Sequence, residues 1–324
     1  MLFYKQHFIL LLIVFFMSAC HFQMDVTNHQ TCSYSNLNYI GQNTFCSSPR
    51  TSLVHNNQLL IAFDNGNIIK WDTNTTKVKS IFNTNSDYTV RTLLDINNTI
   101  WAGSGDMSIS QYTSEGMLLQ QQKYNNGSIF NIKLFENNLY IAFGNASLGI
   151  YNLNHNSLQH QYKQHQYLIY SILIDKQNRI LFTGSDDNTI IKWHIMNNGN
   201  LQFINHIHKF SSAVKHIIKI DASKYIVTTS KGKIFLYDKN FNKLLSTIDQ
   251  KIKIISLAYL NNLLIVGDTA NSYHVYKVLK NKLIEKEHNK LSNFIRIIQP
   301  INKDQILIID KNGMSNLLNT KSIK

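Results

Sequence analysis

The chain has 324 residues, of which 44% are hydrophobic and 16% charged, with two prolines and a formal net charge of +13. That length can bury one large core or two ordinary ones. The composition excludes a charge-driven disordered chain, a collagen and a cysteine-stapled miniprotein.

The chain opens Met1 to His7 with Lys5 as its charge, then runs apolar for ten residues from Phe8 to Met17. A helix of that length rises about 15 Å, half of the roughly 30 Å hydrocarbon layer, which argues against a membrane span. A basic start, a short apolar stretch and small residues after it predict a secretory signal peptide. Met17-Ser18-Ala19-Cys20 resembles the lipobox of bacterial lipoproteins. The resemblance implies a signal peptide over 1–19, cleavage before Cys20, palmitate-type acylation of Cys20, and a lipidated tether over 20–32. The alternative is an ordinary signal peptide with a chance cysteine beside its cut. One acyl chain holds a protein at a membrane marginally and several hold it firmly, and the lipoprotein pattern implies three. His21 stands where an aspartate would resemble an inner-membrane retention signal, so the expected address is the periplasmic side of the outer membrane.

The two remaining cysteines are Cys32 and Cys46. In an oxidising compartment they are either a disulfide, whose loop of about 15 residues would stabilise by ~3 kcal/mol, or two buried free thiols. No Cys/His spacing suited to a metal occurs, and none is expected to bind.

From there on the sequence repeats. An apolar strand, a tight turn of small or acidic residues and a strand ending in a bulky side chain recur. The units run Ala62 to Trp71, Gly103 to Tyr112, Phe143 to Tyr151, Gly184 to Trp193, Ser230 to Tyr237, Gly267 to Tyr276 and, degenerately, Asp310 to Leu318. Their last positions lie 41, 39, 42, 44, 39 and 42 residues apart. A period near 40 with strand–turn–strand content is the signature of propeller blades of four strands each. Upstream of each unit lies an apolar stretch reversed by Asn or Asp, such as Thr92-Leu-Leu-Asp-Ile-Asn-Asn-Thr-Ile100. Asn and Asp tolerate the left-handed conformation of tight hairpins, so this is innermost strand, turn, second strand. Polar segments such as Leu118 to Tyr124 suit a solvated outer edge. The fold class predicted is all-β, a single seven-bladed propeller over 33–324.

The fourth unit is similar to the WD-repeat propeller family. It carries His165, Gly184-Ser185-Asp186-Asp187, Thr189-Ile190 and Trp193, and Trp71-Asp72 is the one WD dipeptide. The resemblance implies a side-chain network of His165, Thr183, Asp187 and Trp193 that staples a blade and performs no catalysis. The other units keep the turn and the bulky end residue and lose most of the histidine–aspartate pattern. Because few residues follow Leu318, an N-terminal strand from 34–42 is expected to join the last blade and close the ring, hiding open edges. A Cys32–Cys46 bridge would bracket that clasp.

No GxSxG, HExxH, phosphate loop or dinucleotide fingerprint is present, and neither an enzyme nor a cofactor is predicted. His155, His160 and His165 fall in a polar outer strand and its loop and are expected to be solvated surface rather than a metal cluster. Residues 1–162 hold eight bases and eight acids, so the whole +13 excess lies in residues 163–324. Such a field favours an acidic protein or another anionic partner, unless an AT-rich genome has merely inflated lysine. Nucleic acid fits the charge but not the compartment. Aligning the blades on their innermost strands puts Arg91, Phe130, Tyr170, Lys215, Ile255 and Arg296 at equivalent positions near the start of each strand. Arg91, Tyr170, Lys215 and Arg296 are therefore candidate partner-binding residues, of types that dominate interfaces. Phe130 and Tyr170 serve equally well as inter-blade core.

The function expected is a monomeric, lipid-anchored, periplasmic interaction scaffold. One alternative is a component of outer-membrane barrel assembly, although that machinery's propeller lipoprotein typically has eight blades and a repeat pattern absent here. The other is a propeller enzyme working in the central channel, which would need convergent polar groups where these inner strands hold mostly Ile, Leu, Lys and Phe.

Overall fold

Every blade begins with a strand whose hydrophobic residues have to be covered by the next blade, and the ring follows from that need. The computed structural model describes residues 47–73, 77–84, 87–239 and 241–323. They contain six four-stranded sheets and one three-stranded sheet, each an antiparallel meander in which sequence neighbours pair. The innermost strands are Pro49–His55, Val90–Ile96, Ile129–Phe135, Ile169–Asp175, Val214–Asp221, Ile254–Leu260 and Ile295–Pro300. The seven-bladed architecture predicted from the period is the one observed.

Local chemistry sets the hairpins. Asn97 and Asn98 turn from the first to the second strand of blade two with φ of 50° and 63°, and Asn261 and Asn262 do the same in blade six at 52° and 62°. Asparagine enters this region at little cost. Glu136 holds φ 52° at the matching turn of blade three without that advantage. Its carboxylate is engaged across the blade boundary by the Arg179 guanidinium.

The core lies between blades, not within one layer. The second strands are buried along their whole length in blades three and six, Asn138–Phe143 and Leu263–Asp268. The outer strand Leu118–Lys123 is almost entirely exposed. Sheets packed on both faces explain why the middle strands are continuously apolar instead of alternating. Between blades three and four, Ala142, Leu148 and Ile150 meet Ile169, Ile172 and Trp193. Each such fully buried aliphatic side chain contributes about 1.5–3 kcal/mol.

The first and last blades also meet. Ser52 Oγ donates to Gln299 Oε1 at 2.9 Å, and Arg296 Nε donates to Ser48 Oγ at 3.2 Å. The seventh sheet has three strands among the described residues, ending with Ser315–Asn319. The expected clasp from 34–42, the Cys32–Cys46 bridge, Cys20 and the signal peptide lie outside the described residues. No helix among those described is long and apolar enough to cross a membrane.

Candidate functional site

All seven innermost strands carry the same irregularity at the same place. In blade two Val90 pairs with Ser104, and pairing resumes with Thr92 opposite Gly103, so Arg91 has no partner residue. The same skip leaves out Arg50, Phe130, Tyr170, Lys215, Ile255 and Arg296 in the other six blades. A bulge of this kind bends its strand and re-aims one side chain away from the ladder. Because the innermost strands stand side by side, the seven re-aimed side chains form one collar at one end of the ring.

Physical contact joins the collar from Arg91 through Phe130 and Tyr170 to Lys215. Arg91 stacks on Phe130 with Cζ 4.6 Å from the ring centre, and Phe130 meets Tyr170 edge-on at 5.8 Å and 89°. Lys215 Nζ lies 3.2 Å from the Tyr170 ring centre. Arg296 stacks on Phe294 at 4.7 Å. Cation–π contacts are worth about 0.5–2 kcal/mol each, more as water is removed. The structure thus brings Arg91, Tyr170, Lys215 and Arg296 onto one surface. Tyr170 and Phe130 prove to be half-buried platforms under cations, neither plain core nor free surface.

Counter-charge is sparse around it. Burial pushes the Lys215 ammonium down to about 8, with Asp186 opposing that shift from 3.6 Å and Lys253 adding to it. Burial pushes Arg296 down to about 10, with Arg50 repelling it and Asp64 partly compensating. Arg91 is lowered by burial and then by Arg50, and its buried Nε has no hydrogen-bond partner among the described residues. Arg50 is paired with Asp64. Three cations that have lost part of their hydration, together with the exposed Arg50, face two carboxylates, an arrangement that a docked anion would relieve.

Three features of this face were not legible in the sequence alignment. Arg50 completes the collar from blade one. Tyr88 and Tyr167 are 60% and 62% exposed, each two residues ahead of an innermost strand, in blades two and four. Their shared offset from the strand start was the signal. A groove of about 420 Å3 opens beside Tyr167, lined also by Asp186, Asn188, Ser212 and Lys231. Ser212 Oγ is buried there without a partner among the described residues.

The blade-four network sits at the same end and is structural. Trp193 Nε1 donates to Thr183 Oγ1 at 3.0 Å, and Thr183 Oγ1 lies 2.8 Å from His165 Nε2. His165 Nδ1 lies 2.8 Å from Asp187 Oδ2, which also accepts the Gln166 amide. His165 is 3% exposed, which corrects the expectation that it belongs with solvated His155 and His160. The buried hydroxyl and carboxylate on either side of it supply what water would have.

A neighbouring histidine gives the ring an acid sensitivity. Burial pushes His216 down to about 4, with Lys215 adding to the effect, while Nδ1 meets Thr228 Oγ1 at 2.8 Å. The folded chain therefore keeps this imidazole neutral and the unfolded chain protonates it near 6.5. Its contribution is intact above about pH 6.5 and is lost as pH falls from there towards 4. Urea unfolding should show about 1–2 kcal/mol less stability at pH 5 than at pH 7.5, a loss that His216→Gln removes. An identical pH profile for the variant would refute this.

No protein-family model and no curated protein matches this chain. Solved structures do match. A chain from the crystal structure of the mitotic checkpoint complex aligns with a TM-score of 0.73 at 10% identity, covering 92% of this chain and 97% of that one. The structure of U3-55K aligns at 0.70 and 14% identity, covering 82% and 89%. The computationally designed Ika8 protein aligns at 0.66 and 15%, covering 85% and 97%. At these identities the likeness is one of fold, and with the strand pairing and the collar it supports one conclusion: the chain is a seven-bladed β-propeller that presents a ring of cations and aromatics at one end.

Proposed function

We propose that this chain is a WD-type, non-catalytic interaction scaffold, held by a lipid on Cys20 at the periplasmic side of a bacterial outer membrane, that docks an acidic segment of a partner protein on its collar. The observation that carries the docking reading is the bulge repeated in all seven innermost strands, which places Arg50, Arg91, Lys215 and Arg296 together with Phe130 and Tyr170. Arginine and aromatic residues around a partly desolvated centre are the composition of binding hot spots. The exposed Tyr88 and Tyr167 extend the apolar contact outward. The basic half of the chain forms contiguous blades, so the field that steers an anionic partner arrives from one side. The lipid anchor rests on Met17-Ser18-Ala19-Cys20 and the apolar run before it.

Photo-crosslinking in intact cells tests the docking. A photoreactive side chain at Tyr88 or Tyr167 should capture a discrete acidic protein, whereas one at Gln122 on the outer strand should not. Arg91→Glu with Arg296→Glu should reduce the captured yield at least about tenfold, because charge reversal at a buried cation slows association and speeds release. Equal capture from both faces, or capture insensitive to the reversal, would refute the docking face. For the anchor, Cys20→Ser should abolish labelling by a palmitate analogue, and persistent labelling would remove the proposed address while leaving the collar untouched.

A further inference from the structure

The outer half of blade six carries chemistry that the propeller framework does not require. Strand Ser272–Leu279 pairs antiparallel with Lys282–Lys290, and His274 stands directly opposite His288. In a regular strand Glu285 and His288, three apart, would point to opposite faces. Here Val275 pairs with Glu287 and Tyr276 with Glu285, so Lys286 is an extra residue with no opposite number. That bulge reverses the parity and brings Glu285 onto the face of both histidines.

The side chains converge. His274 Nδ1 is 2.8 Å from Glu285 Oε1, and the His274 and His288 rings stack with centres 4.2 Å apart and planes 13° from parallel. One ligand atom from each of the three residues lies within 4.8 Å of the other two. Behind them, His274 Nε2 lies 3.2 Å from Oδ2 of Asp268, a residue with 0% exposure whose Oδ1 accepts the amides of Ala270 and Ser272. A buried carboxylate on one imidazole nitrogen fixes the ring so that the other nitrogen faces outward, the usual support behind a metal-ligating histidine.

We propose that His274, Glu285 and His288 bind one divalent transition ion, of the class Zn2+, Cu2+ or Ni2+, with water completing its coordination. Two imidazole nitrogens and one carboxylate oxygen suit these borderline ions and not Mg2+ or Ca2+. Bonds of about 2.0–2.1 Å at a tetrahedral angle separate donors by about 3.4 Å, so rotation of the exposed His288 and Glu285 side chains closes the set. The ion takes the place of the proton shared between His274 and Glu285, and that proton leaves to solvent. Binding would pin the outer strand of the blade, and a ligand that binds only the folded hairpin raises its melting temperature.

The test is calorimetric titration of the detergent-solubilised full chain with Zn2+ and with Cu2+, alongside a thermal melt. The wild type should bind one equivalent that is lost or weakened at least about tenfold in His288→Gln, an exposed and fold-neutral change, with the metal-induced rise in melting temperature lost as well. Glu285→Ala, which removes the carboxylate ligand from the exposed outer strand, should weaken the same equivalent at least about tenfold, and His160→Gln on the outer strand of blade three should leave it in place. Failure of the wild type to bind below about 100 μM, where ΔG is near −5.5 kcal/mol, would overturn the site. So would a His288→Gln isotherm equal to that of the wild type.

Discussion

Thr183→Val should cost about 2–4 kcal/mol of unfolding free energy, although it barely changes shape or volume. The Thr183 hydroxyl accepts the Trp193 indole N–H and donates to His165 Nε2, while His165 Nδ1–H reaches Asp187 Oδ2. Valine leaves an indole N–H and an imidazole nitrogen without partners in a place that water does not reach, and each such orphan costs about 1–3 kcal/mol. Asp187→Ala should be at least as damaging. Burial alone would raise that carboxyl, but bonds from His165, Thr189 and the Gln166 amide outweigh it and hold the group well below the usual carboxylate range. Alanine there orphans the His165 Nδ1–H, the Gln166 amide and the Thr189 hydroxyl together, at about 1–3 kcal/mol for each buried donor left unpaired. Because the depressed carboxyl stabilises the fold above its unfolded value near 4, the network should fail only in strong acid. Urea unfolding followed by tryptophan fluorescence measures the loss, and hydrogen exchange should place it in blade four. A loss under about 1 kcal/mol in both variants would show that the network is ornamental.

Gly184→Val should be comparably severe, at about 3 kcal/mol, for a reason that lies in the next blade. A Cβ at Gly184 would stand 2.5 Å from Val214 Cγ1. Gly103 meets Ile129 Cγ2 and Gly267 meets Ile295 Cγ2 at the same 2.5 Å. In all three cases a glycine in a second strand receives the first residue of the following innermost strand, a stiff β-branched knob that cannot swing aside. Blades two, four and six therefore dock on blades three, five and seven through glycine slots. Gly184→Val pushes two sheets apart along their whole contact. The compensating pair Gly184→Ala with Val214→Ala should be more stable than the sum of its single changes by more than about 1 kcal/mol. Strict additivity would mean that the slot does not govern docking.

The fold was legible because its signals are local. Turn asparagines such as Asn97 and Asn98, apolar second strands such as Leu263–Asp268 and the terminal Trp and Tyr residues recur within windows of one hairpin. The blade-four network was expected only through the resemblance of that one repeat to the WD family, whose pattern places all four residues within a single unit. The collar was legible only in part. Aligned innermost strands pointed to Arg91, Tyr170, Lys215 and Arg296, but not to their stacking order, nor to Arg50, Tyr88 and Tyr167. Whether Tyr170 served as core or surface depended on Lys215, which comes from the next blade. Asp268, Glu285 and the two histidines of blade six were passed over because regular strand parity separates Glu285 from His288.

By itself, then, the sequence determined the repeat, the class of strand at each place within it and the hairpin turns, all of which follow from the side-chain preferences of neighbouring residues. Tertiary structure alone decided which bulged cations share a collar, which glycines receive a neighbour's knob and which outer-strand side chains converge. The collar and slot contacts join residues of neighbouring blades and are selected by closing the stacked sheets into a ring, while the outer-strand convergence depends on the bulge at Lys286, and neither leaves a local pattern to read.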